Sequence, residues 1–402
     1  MTTIDTIETE DTHFAPFFNR TRLSIDRGQG VYVWDESGGK YLDFTAGWGV
    51  TSIGHGSPVI AQALAEQSAK IIHNPDSGLT YSPARARLLS QMRGILPKGL
   101  TRVFFTNSGA EANDAAIKLA RKASGKLNIV STQRSFHGRT ISGVSATGQA
   151  AHRDKYKPLM PHHIYIPFDD VFALASVIES DIAAFIVEPI QGEGGVRVPT
   201  DDYLEKASKL CRENGVYLIL DEVQTGFFRT GPAFVSSNRN VKIDFLTMAK
   251  GIAGGFPFGA FAMTEEVSAK LAKGDHGGTY CGNPLGCAVS SAVIQHMLDN
   301  HIEANVIRIG SLIMDRLETL QHEYPGLILD VRGKGLLIGM ELSSPVVARS
   351  VKEACLAQGL LVNLTQGTVI RIFPALTITE EEASEGLDIL ENALRKAIDN
   401  AD

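Results

Sequence analysis

The middle of the chain alternates short apolar runs with longer segments in which apolar residues recur at helical spacing. The apolar runs have the length of buried strands, and they lie at residues 103–105, 127–130, 183–187 and 216–220. Segments such as 201–213 lie between them and have the spacing of an amphipathic helix. Strands that alternate with helices favour right-handed crossovers, which cover both faces of a mostly parallel sheet. The pattern therefore predicts an α/β domain.

Both ends of the chain show a different pattern. Residues 30–44 alternate apolar and polar positions on either side of an Asp-Glu-Ser-Gly-Gly turn, which predicts a hairpin. Near the other end we predict strands over 335–342 and 369–373, and a closing amphipathic helix over 379–399 that begins with a capping box. We therefore expect a large domain over residues 45–290, and a smaller α+β domain that combines residues 1–44 with residues 291–402.

Composition and charge narrow the class of protein. The chain has 402 residues, of which 44% are hydrophobic and 21% charged, which is typical of a globular protein with more than one domain. The net charge of -7 argues against a nucleic-acid partner, and no apolar run reaches the roughly 18 residues of a membrane span. The first dozen residues are acidic, lack a signal pattern and are expected to fray. The four cysteines have no metal-binding spacing, so we predict free thiols, no metal and a cytoplasmic location.

The strand at 103–105 leads into a polar turn at the start of a helix. Ser108 and Glu111 have the spacing of a capping box, which places the turn at the helix N-terminus. Free backbone N–H groups and the helix dipole favour an anion there, and Gly109 lets the backbone approach it closely. The turn could hold a phosphate, or it could be an ordinary helix cap, which every strand–turn–helix connection needs.

Two further strand ends carry chemistry. Asp221 follows the run 216–220, and Lys250 follows 244–249 and precedes a glycine-rich segment. Because ligands of open α/β sheets bind beyond the carboxyl ends of the strands, these groups should lie near the turn at Ser108. Individually they could be an ion-paired carboxylate and a surface lysine. Together, a phosphate cup, a carboxylate and an enclosed amine match the phosphate, ring nitrogen and aldehyde of pyridoxal phosphate.

A set of motifs across nearly the whole chain resembles the class III aminotransferases of the pyridoxal-phosphate fold-type-I superfamily, in particular the acetylornithine, ornithine and 4-aminobutyrate group. In chain order the motifs are LDFTAGWGVTSIGHGSP, NSGAEANDAAIKLAR, SFHGRT, EPIQGEGGV, LILDEVQTGFFRTG, MAKGIAGGFPFGA, HGGTYCGNPLGCA, VRGKGLLIGMEL and RIFPALTIT. The resemblance implies a fold-type-I large domain, the cofactor pyridoxal 5'-phosphate and a homodimer with active sites at the subunit interface.

The resemblance also implies roles for residues around the cofactor. Lys250 would attach the cofactor covalently and carry a proton, and Asp221 would keep the pyridine nitrogen protonated. Gln224 would contact the phenolic oxygen and Phe136 would stack on the ring, although Phe136 alone would pass for a core aromatic. The remaining cofactor-binding residues are Ser108, Gly109 and Ala110 at the phosphate, Val223, and Thr279, which would reach the neighbouring subunit's cofactor and would otherwise pass for a turn residue.

For the substrate, the resemblance implies two arginines and one movable carboxylate. Arg371 would bind the α-carboxylate, and Arg139 a second carboxylate, because guanidinium groups bind carboxylates in a bidentate way. Glu193 would pair with Arg371 while an ω-amino substrate is bound and swing away for 2-oxoglutarate. Glu188 would be structural. From the residues alone, Arg371 could equally form an ion pair within the small domain.

Several positions depart from the family pattern. Trp48 stands where relatives usually have isoleucine, and Gly278 stands where acetylornithine enzymes often have serine. Cys281 and Phe228 replace common glycines, and residues 73–89 do not match the usual loop at the mouth of the site. These differences leave the amino donor open.

We predict an aminotransferase that moves an amino group from an ω-amino acid (acetylornithine, ornithine, 4-aminobutyrate or similar) to 2-oxoglutarate by a ping-pong mechanism. The alternatives on the same scaffold are a racemase, an aminomutase, a decarboxylase and an amine:pyruvate-type transaminase. A phosphate- or nucleotide-binding module without a Schiff base and a non-catalytic interaction protein are the alternatives from other classes.

Overall fold

The computed structural model describes residues 5–178 and 181–399, which form fifteen strands and fourteen helices. In chain order, strands β1 to β15 are Ile25–Gln29, Tyr32–Asp35, Lys40–Asp43, Leu100–Thr106, Asn128–Thr132, His163–Ile166, Ile182–Val187, Tyr217–Asp221, Phe245–Met248, Gly259–Thr264, Ile328–Lys334, Leu337–Leu342, Leu360–Leu361, Asn363–Thr365 and Val369–Ile372. Helices α1 to α14 are Thr6–His13, Ala46–Gly49, Pro58–Ser68, Pro83–Ile95, Gly109–Ser124, Ile141–Ala146, Ala150–Arg153, Val171–Val177, Tyr203–Glu213, Glu265–Ser268, Pro284–Asp299, Ile302–Glu323, Pro345–Ala357 and Glu380–Asp399.

Seven strands form the central sheet, in the order β4-β10-β9-β8-β7-β5-β6. Neighbouring strands from β9 to β6 pair in parallel, whereas β10 is antiparallel to both β4 and β9. The four apolar runs predicted as strands lie in or overlap β4, β5, β7 and β8. Every residue of β7 and β8 is buried, as expected of strands covered on both faces. The mostly parallel α/β sheet predicted from the sequence is therefore present.

Two four-stranded sheets lie outside the central sheet, in the orders β1-β2-β3-β13 and β11-β12-β15-β14. The first joins the two ends of the chain, because β13 pairs in parallel with β3 and places Leu360 opposite Leu42. We propose that the two ends together form the smaller domain. The predicted domain boundary at residue 290 falls inside α11, so we propose that the division lies after this helix, near Asn300.

The helices at the two ends of the chain, α1 and α14, can be compared with the predictions made for those ends. The capping box predicted at the start of α14 is confirmed: Thr379 N donates to Glu382 Oε2 at 2.9 Å, and Glu382 N donates to Thr379 Oγ1 at 3.2 Å. Of the first dozen residues, which were expected to fray, residues 1–4 lie outside the described ranges, and Thr6–His13 form the exposed helix α1, so the expectation stays a prediction. There Asp5 accepts a hydrogen bond from Glu8 N at 2.9 Å, because a carboxylate stabilises the free N–H groups of a helix start. In the described part of the chain, no helix is long and apolar enough to cross a bilayer.

The direction of the strands positions the functional site. Strand β10 is antiparallel to both of its neighbours, β4 and β9, so β4 and β9 run in the same direction. The carboxyl ends of β4, β5, β7, β8 and β9 therefore all lie at one edge of the sheet. The segments that follow these ends carry the polar residues singled out in the sequence.

Candidate active site

A cavity of about 340 Å³ lies at the carboxyl edge of the central sheet. Ten of the residues predicted to bind cofactor or substrate line it: Ser108, Gly109, Ala110, Phe136, Arg139, Glu193, Asp221, Val223, Gln224 and Lys250. The fold therefore brings together groups that lie far apart in the sequence, as the strand-end argument predicted.

The N-terminus of α5 forms one end of the cavity. Ser108 is the N-cap, and its Oγ accepts a hydrogen bond from Glu111 N at 3.2 Å. The reciprocal bond differs from the predicted capping box, because Glu111 Oε2 accepts from Asn107 N at 2.8 Å. The first N–H groups of a helix have no partner within it, so those of α5 are available to an anion.

Gly109 makes this end of the cavity tight. A Cβ atom at this position would lie 2.7 Å from Val223 Cγ1, so any larger residue would push Val223 away. At Gly138 a Cβ atom would lie 2.8 Å from Ala110 Cβ. Glycine is therefore required where the two loops approach the start of α5.

Asp221, the last residue of β8, is buried and held by three hydrogen bonds. Oδ2 accepts from Asn113 Nδ2 at 2.7 Å and pairs with His137 Nδ1 at 2.8 Å, and Oδ1 accepts from Val223 N at 3.0 Å. Thr247 Oγ1 donates in turn to Asn113 Oδ1 at 2.6 Å. These bonds fix the orientation of a carboxylate that would otherwise be costly to bury.

Sequence reasoning assigned no role to Asn113 and His137. The local signal for Asn113 was its place one helical turn after Gly109, on the same face of α5. His137 stands in the SFHGRT motif between two residues that were assigned roles. Their contact with Asp221 depends on the tertiary structure, so the sequence could not reveal it.

Lys250 follows β9 in a left-handed backbone conformation, with φ at +46°. Such a conformation costs a non-glycine residue roughly 1–2 kcal/mol of conformational energy, so the surrounding structure must hold it there. Burial is the largest influence on the amine and lowers its pKa; the Glu193 carboxylate opposes this effect, and Arg371 adds to it. A lowered pKa leaves more of the amine unprotonated and hence able to act as nucleophile or base.

Glu188 connects two walls of the cavity. Its Oε1 accepts from Phe136 N at 2.9 Å and its Oε2 from Gly192 N at 3.1 Å, in agreement with the predicted structural role. Burial raises the pKa of Glu188 to about 7; His137 opposes the rise, and the nearby Asp221 adds to it. Phe136 also lies beneath the Arg139 guanidinium, whose carbon is 5.6 Å from the ring centroid.

Arg371 and Glu193 form an ion pair beside the cavity. Arg371, in β15, is fully buried, and its Nη1 donates to Glu193 Oε1 at 2.6 Å and to Gln224 Oε1 at 3.2 Å. Its Nε donates to Asn363 Oδ1 at 3.1 Å, whereas Nη2 is buried without a hydrogen-bond partner in the described ranges. Burial alone would raise the pKa of Glu193, but the charges of Arg371 and Lys250 outweigh it and lower the pKa.

Four predicted site residues do not line the cavity of this chain: Arg371, which lies beside it, and Trp48, Gly278 and Thr279. Trp48 is 52% exposed and lies in α2, where the φ angles from Ala46 to Gly49 are all positive. Gly278 and Thr279 are exposed, and the Thr279 carbonyl accepts a hydrogen bond from Ser77 Oγ. The roles given to these four residues stay predictions.

Comparison with known proteins identifies the chemistry of this cavity. The sequence profile of the family described as Aminotransferase class-III matches residues 16–394. The acetylornithine aminotransferase of Methanothermobacter thermautotrophicus is 41% identical over 384 residues, which are 96% of this chain and 97% of that protein.

Solved structures give the same result. The ornithine aminotransferase from Toxoplasma gondii superposes with a TM-score of 0.93 at 30% identity, over 98% of this chain and 95% of that chain. The (S)-enantioselective omega-transaminase from Thermomicrobium roseum superposes with a TM-score of 0.91 at 31% identity, over 99% of both chains. These matches confirm the resemblance, the fold class and the aminotransferase activity predicted from the sequence.

Class III aminotransferases use pyridoxal phosphate, and the residues of the cavity fit this cofactor. The α5 N-terminus offers N–H groups to a phosphate, Asp221 offers a fixed carboxylate to a cationic ring nitrogen, and Lys250 offers an amine. The absence of a Cβ atom at Gly109 and Gly138 lets Val223 and the loop at Gly138 pack closely against the start of α5.

Proposed function

Because the chain belongs to the class III aminotransferase family, we propose that it transfers an amino group from an ω-amino acid to 2-oxoglutarate by a ping-pong mechanism. The observation that carries this proposal is the guanidinium of Arg371. It is fully buried, its Nη1 donates to Glu193 Oε1, and its Nη2 has no hydrogen-bond partner among the described residues. An unsatisfied buried donor is costly unless a ligand completes it, and a substrate carboxylate would do so in a bidentate way.

Each residue of the cavity has a proposed task. When bound, pyridoxal phosphate supplies an aldehyde for the amino group and a ring that withdraws electrons. Ser108, Gly109 and Ala110 would hold its phosphate, with Val223 above Gly109. Asp221 would hold a proton on the ring nitrogen.

The remaining tasks concern the proton and the cofactor's orientation. Lys250 Nζ would hold the cofactor until the amino group of the donor displaces it, and the freed amine would then carry a proton from the substrate carbon that bears nitrogen to the cofactor side. Phe136 would cover the ring and Gln224 would contact its phenolic oxygen. Arg139, at the cavity wall near Phe136, would bind a distal carboxylate.

Two substrates of different charge can share this site because Glu193 can change its partner. While Glu193 neutralises Arg371, the site accepts the amino end of an ω-amino donor without an unpaired buried charge. When the carboxylate of 2-oxoglutarate replaces Glu193 on Arg371, charge balance is kept. The relatives that act on acetylornithine and ornithine make these two compounds the first donors to test.

We also propose that the enzyme is a cytoplasmic homodimer. Gly278 and Thr279 are exposed in this chain, as a segment directed at a partner's active site would be. Thr279 would then contact the phosphate in the other subunit. A dimer seen by light scattering, together with reduced cofactor affinity in a Thr279→Ala variant, would support this assembly, whereas a monomeric active enzyme would contradict it.

A donor screen tests the main proposal. Purified enzyme is incubated with acetylornithine, ornithine or 4-aminobutyrate and with 2-oxoglutarate or pyruvate, and glutamate or alanine is measured together with the oxo product. We expect glutamate and oxo product in equal amounts. Racemisation of the donor without net amino transfer would contradict an aminotransferase and favour the racemase alternative.

A second candidate is an amine:pyruvate-type transaminase. The structural similarity to the Thermomicrobium roseum omega-transaminase favours it. In the same screen, alanine formation from pyruvate and a simple amine, at rates above those with 2-oxoglutarate, would select this candidate.

A further inference from the structure

The segment that carries Glu193 is held at its main chain by the C-terminal part of the protein. Thr365 Oγ1 donates to the Glu193 carbonyl oxygen at 2.9 Å, and Gln366 Nε2 donates to the same oxygen at 2.7 Å. Both donors lie at the end of β14, next to the strand that carries Arg371. The Glu193 carbonyl therefore has two side-chain donors, while its carboxylate faces Arg371.

Arg332 holds the residues that follow Glu193. Its Nε and Nη2 donate to the Gly195 carbonyl at 3.0 and 2.6 Å, and Nε also donates to the Val196 carbonyl at 3.0 Å. Its Nη1 pairs with Glu341 at 2.6 Å, which fixes the guanidinium itself. Val196 is β-branched and has φ at +51°, a conformation that persists only where surrounding contacts enforce it.

The segment is also closed at its base. Gln191 and Arg197 exchange two backbone hydrogen bonds, each of 3.0 Å. Gly192 N donates to Glu188 at 3.1 Å, and a Cβ atom at Gly192 would lie 1.8 Å from Gln224 Oε1. No space is left for the main chain to shift toward the cavity without displacing Gln224. The Glu193 side chain, in contrast, is 29% exposed and has room to rotate.

We propose that Thr365 and Gln366 are positioning residues that hold the main chain at Glu193, so that the site exchanges substrates by rotation of the Glu193 side chain alone. This inference rests on the proposed function, since it requires that Glu193 leaves Arg371 when a dicarboxylate binds. The ion pair of Glu193 with Arg371 and the hydrogen bonds from Thr365 and Gln366 each hold the segment independently of the other. Dicarboxylate binding removes only the ion pair, and the two donors then keep the segment in place.

Hydrogen–deuterium exchange of the cofactor-loaded enzyme tests this inference, with peptides that cover residues 188–197. The variant Thr365→Val/Gln366→Asn removes both donors. Valine matches the shape of threonine, and asparagine tolerates the φ of +52° at Gln366 while its amide is one methylene too short to reach Glu193. Gln149→Ala is the matched control, because it removes the other partner of Gln366, at 3.0 Å, and leaves the Glu193 contact intact.

Glutarate serves as a dicarboxylate without a reactive oxo group. In the wild type and in Gln149→Ala, we expect glutarate to leave exchange in 188–197 unchanged. In the double variant, glutarate should accelerate it about 10-fold, because neither the ion pair nor the two donors then hold Glu193, and only the contacts of Arg332 and the Gln191–Arg197 pair remain. Faster exchange in the wild type with glutarate would show that the segment moves as a unit and overturn the inference. So would a double variant whose exchange stays at the wild-type level.

A ligand-free arm separates this inference from the proposed function. Glu193→Ala removes the ion pair without any substrate, and adding Thr365→Val/Gln366→Asn to it should again accelerate exchange about 10-fold. If the wild type binds no glutarate, or if Arg371→Lys binds it equally well, the proposed role of Arg371 fails and the substrate-exchange part of the inference fails with it. The ligand-free arm then still shows whether the two donors hold the segment.

Discussion

The two walls of the cavity are built in different ways. On the cofactor wall, Ser108, Asp221 and Lys250 each lie at or just after the carboxyl end of a strand of one sheet. Hydrogen bonds fix Ser108 and Asp221, and the buried surroundings hold Lys250 in its left-handed conformation. On the substrate wall, Arg371 and Glu193 lie 178 residues apart: Arg371 is in β15, whereas Glu193 is in the loop that follows β7 of the central sheet. There Arg371 Nη2 has no hydrogen-bond partner within residues 5–178 and 181–399, and the Glu193 side chain is partly exposed. The cofactor, which stays in the site, would thus be bound by fixed groups. The two substrates, which alternate, would be bound by the ion pair of Arg371 and Glu193, whose partners can be exchanged.

The largest effect is expected from removing the amine of the cofactor wall. Lys250→Ala should lower kcat by at least about 10⁴-fold, because both the nucleophile and the proton carrier are lost. Steady-state rates and borohydride reduction of the wild-type protein, followed by peptide mapping, measure this. Lys242→Ala, at the opposite edge of the sheet, is the control and should leave kcat unchanged. Wild-type-like turnover in Lys250→Ala would contradict the proposed mechanism.

The carboxylate of the same wall should have the next largest effect. Asp221→Asn removes the negative charge, and its amide NH₂ group could face the NH₂ group of Asn113, which now donates to Asp221 Oδ2. The kcat should therefore fall on the order of 10²- to 10³-fold. Asp244→Asn is a matched control, since Asp244 is also a partly buried carboxylate next to a strand of the sheet, and it accepts from Leu218 N at 2.8 Å. Equal losses in both variants would mean that Asp221 serves stability rather than catalysis.

Two carboxylates of one segment should give opposite pH dependences of stability. The pKa of Glu188 is raised to about 7, so the folded protein keeps a proton that the unfolded chain loses near 4.3. Stability should therefore fall as pH rises between these values. Glu188→Gln lacks this loss, so its melting temperature relative to wild type should rise from pH 4.5 to 7.

Glu193→Gln provides the comparison for this measurement. The lowered pKa of Glu193 adds stability above its ordinary pKa, and this contribution is lost as pH falls through the folded value. The melting temperature of Glu193→Gln relative to wild type should therefore decline as pH rises. Parallel pH profiles for the two variants would contradict the assigned charge environments.

The smallest effect is expected on the substrate wall. Arg371→Lys keeps the charge but loses the planar fork, so the KM for 2-oxoglutarate should rise about 10- to 100-fold with little change in cofactor affinity. Half-reaction kinetics and a titration of the apoenzyme with cofactor measure the two quantities. If the variant lost cofactor affinity instead, the two walls would not be separable.

Local sequence features predicted the parts of the structure that depend on neighbouring residues. The apolar run before Asp221 has the composition of a buried strand, and Ser108 caps α5 as its spacing predicts. Contacts between distant segments were not predictable in this way. The bonds of Asn113 and His137 to Asp221 span 108 and 84 residues, and no local pattern encodes them.

Backbone strain was also hidden in the sequence. Lys250, Trp48 and Val196 all adopt positive φ angles that their own conformational preferences disfavour. Such conformations persist because contacts with distant segments hold them. Conformational preferences of single residues therefore do not predict them.

The sequence by itself determined which strands are followed by functional residues, the cap at Ser108 and the family. The reason is that spacing and residue type specify local structure and shared motifs. The tertiary structure decided which groups meet: the network around Asp221, the unpaired nitrogen of Arg371 and the contacts of Thr365 and Gln366 with Glu193. The physical reason is that hydrogen bonding and desolvation depend on distance in space, which the packing of three sheets sets and separation along the chain does not.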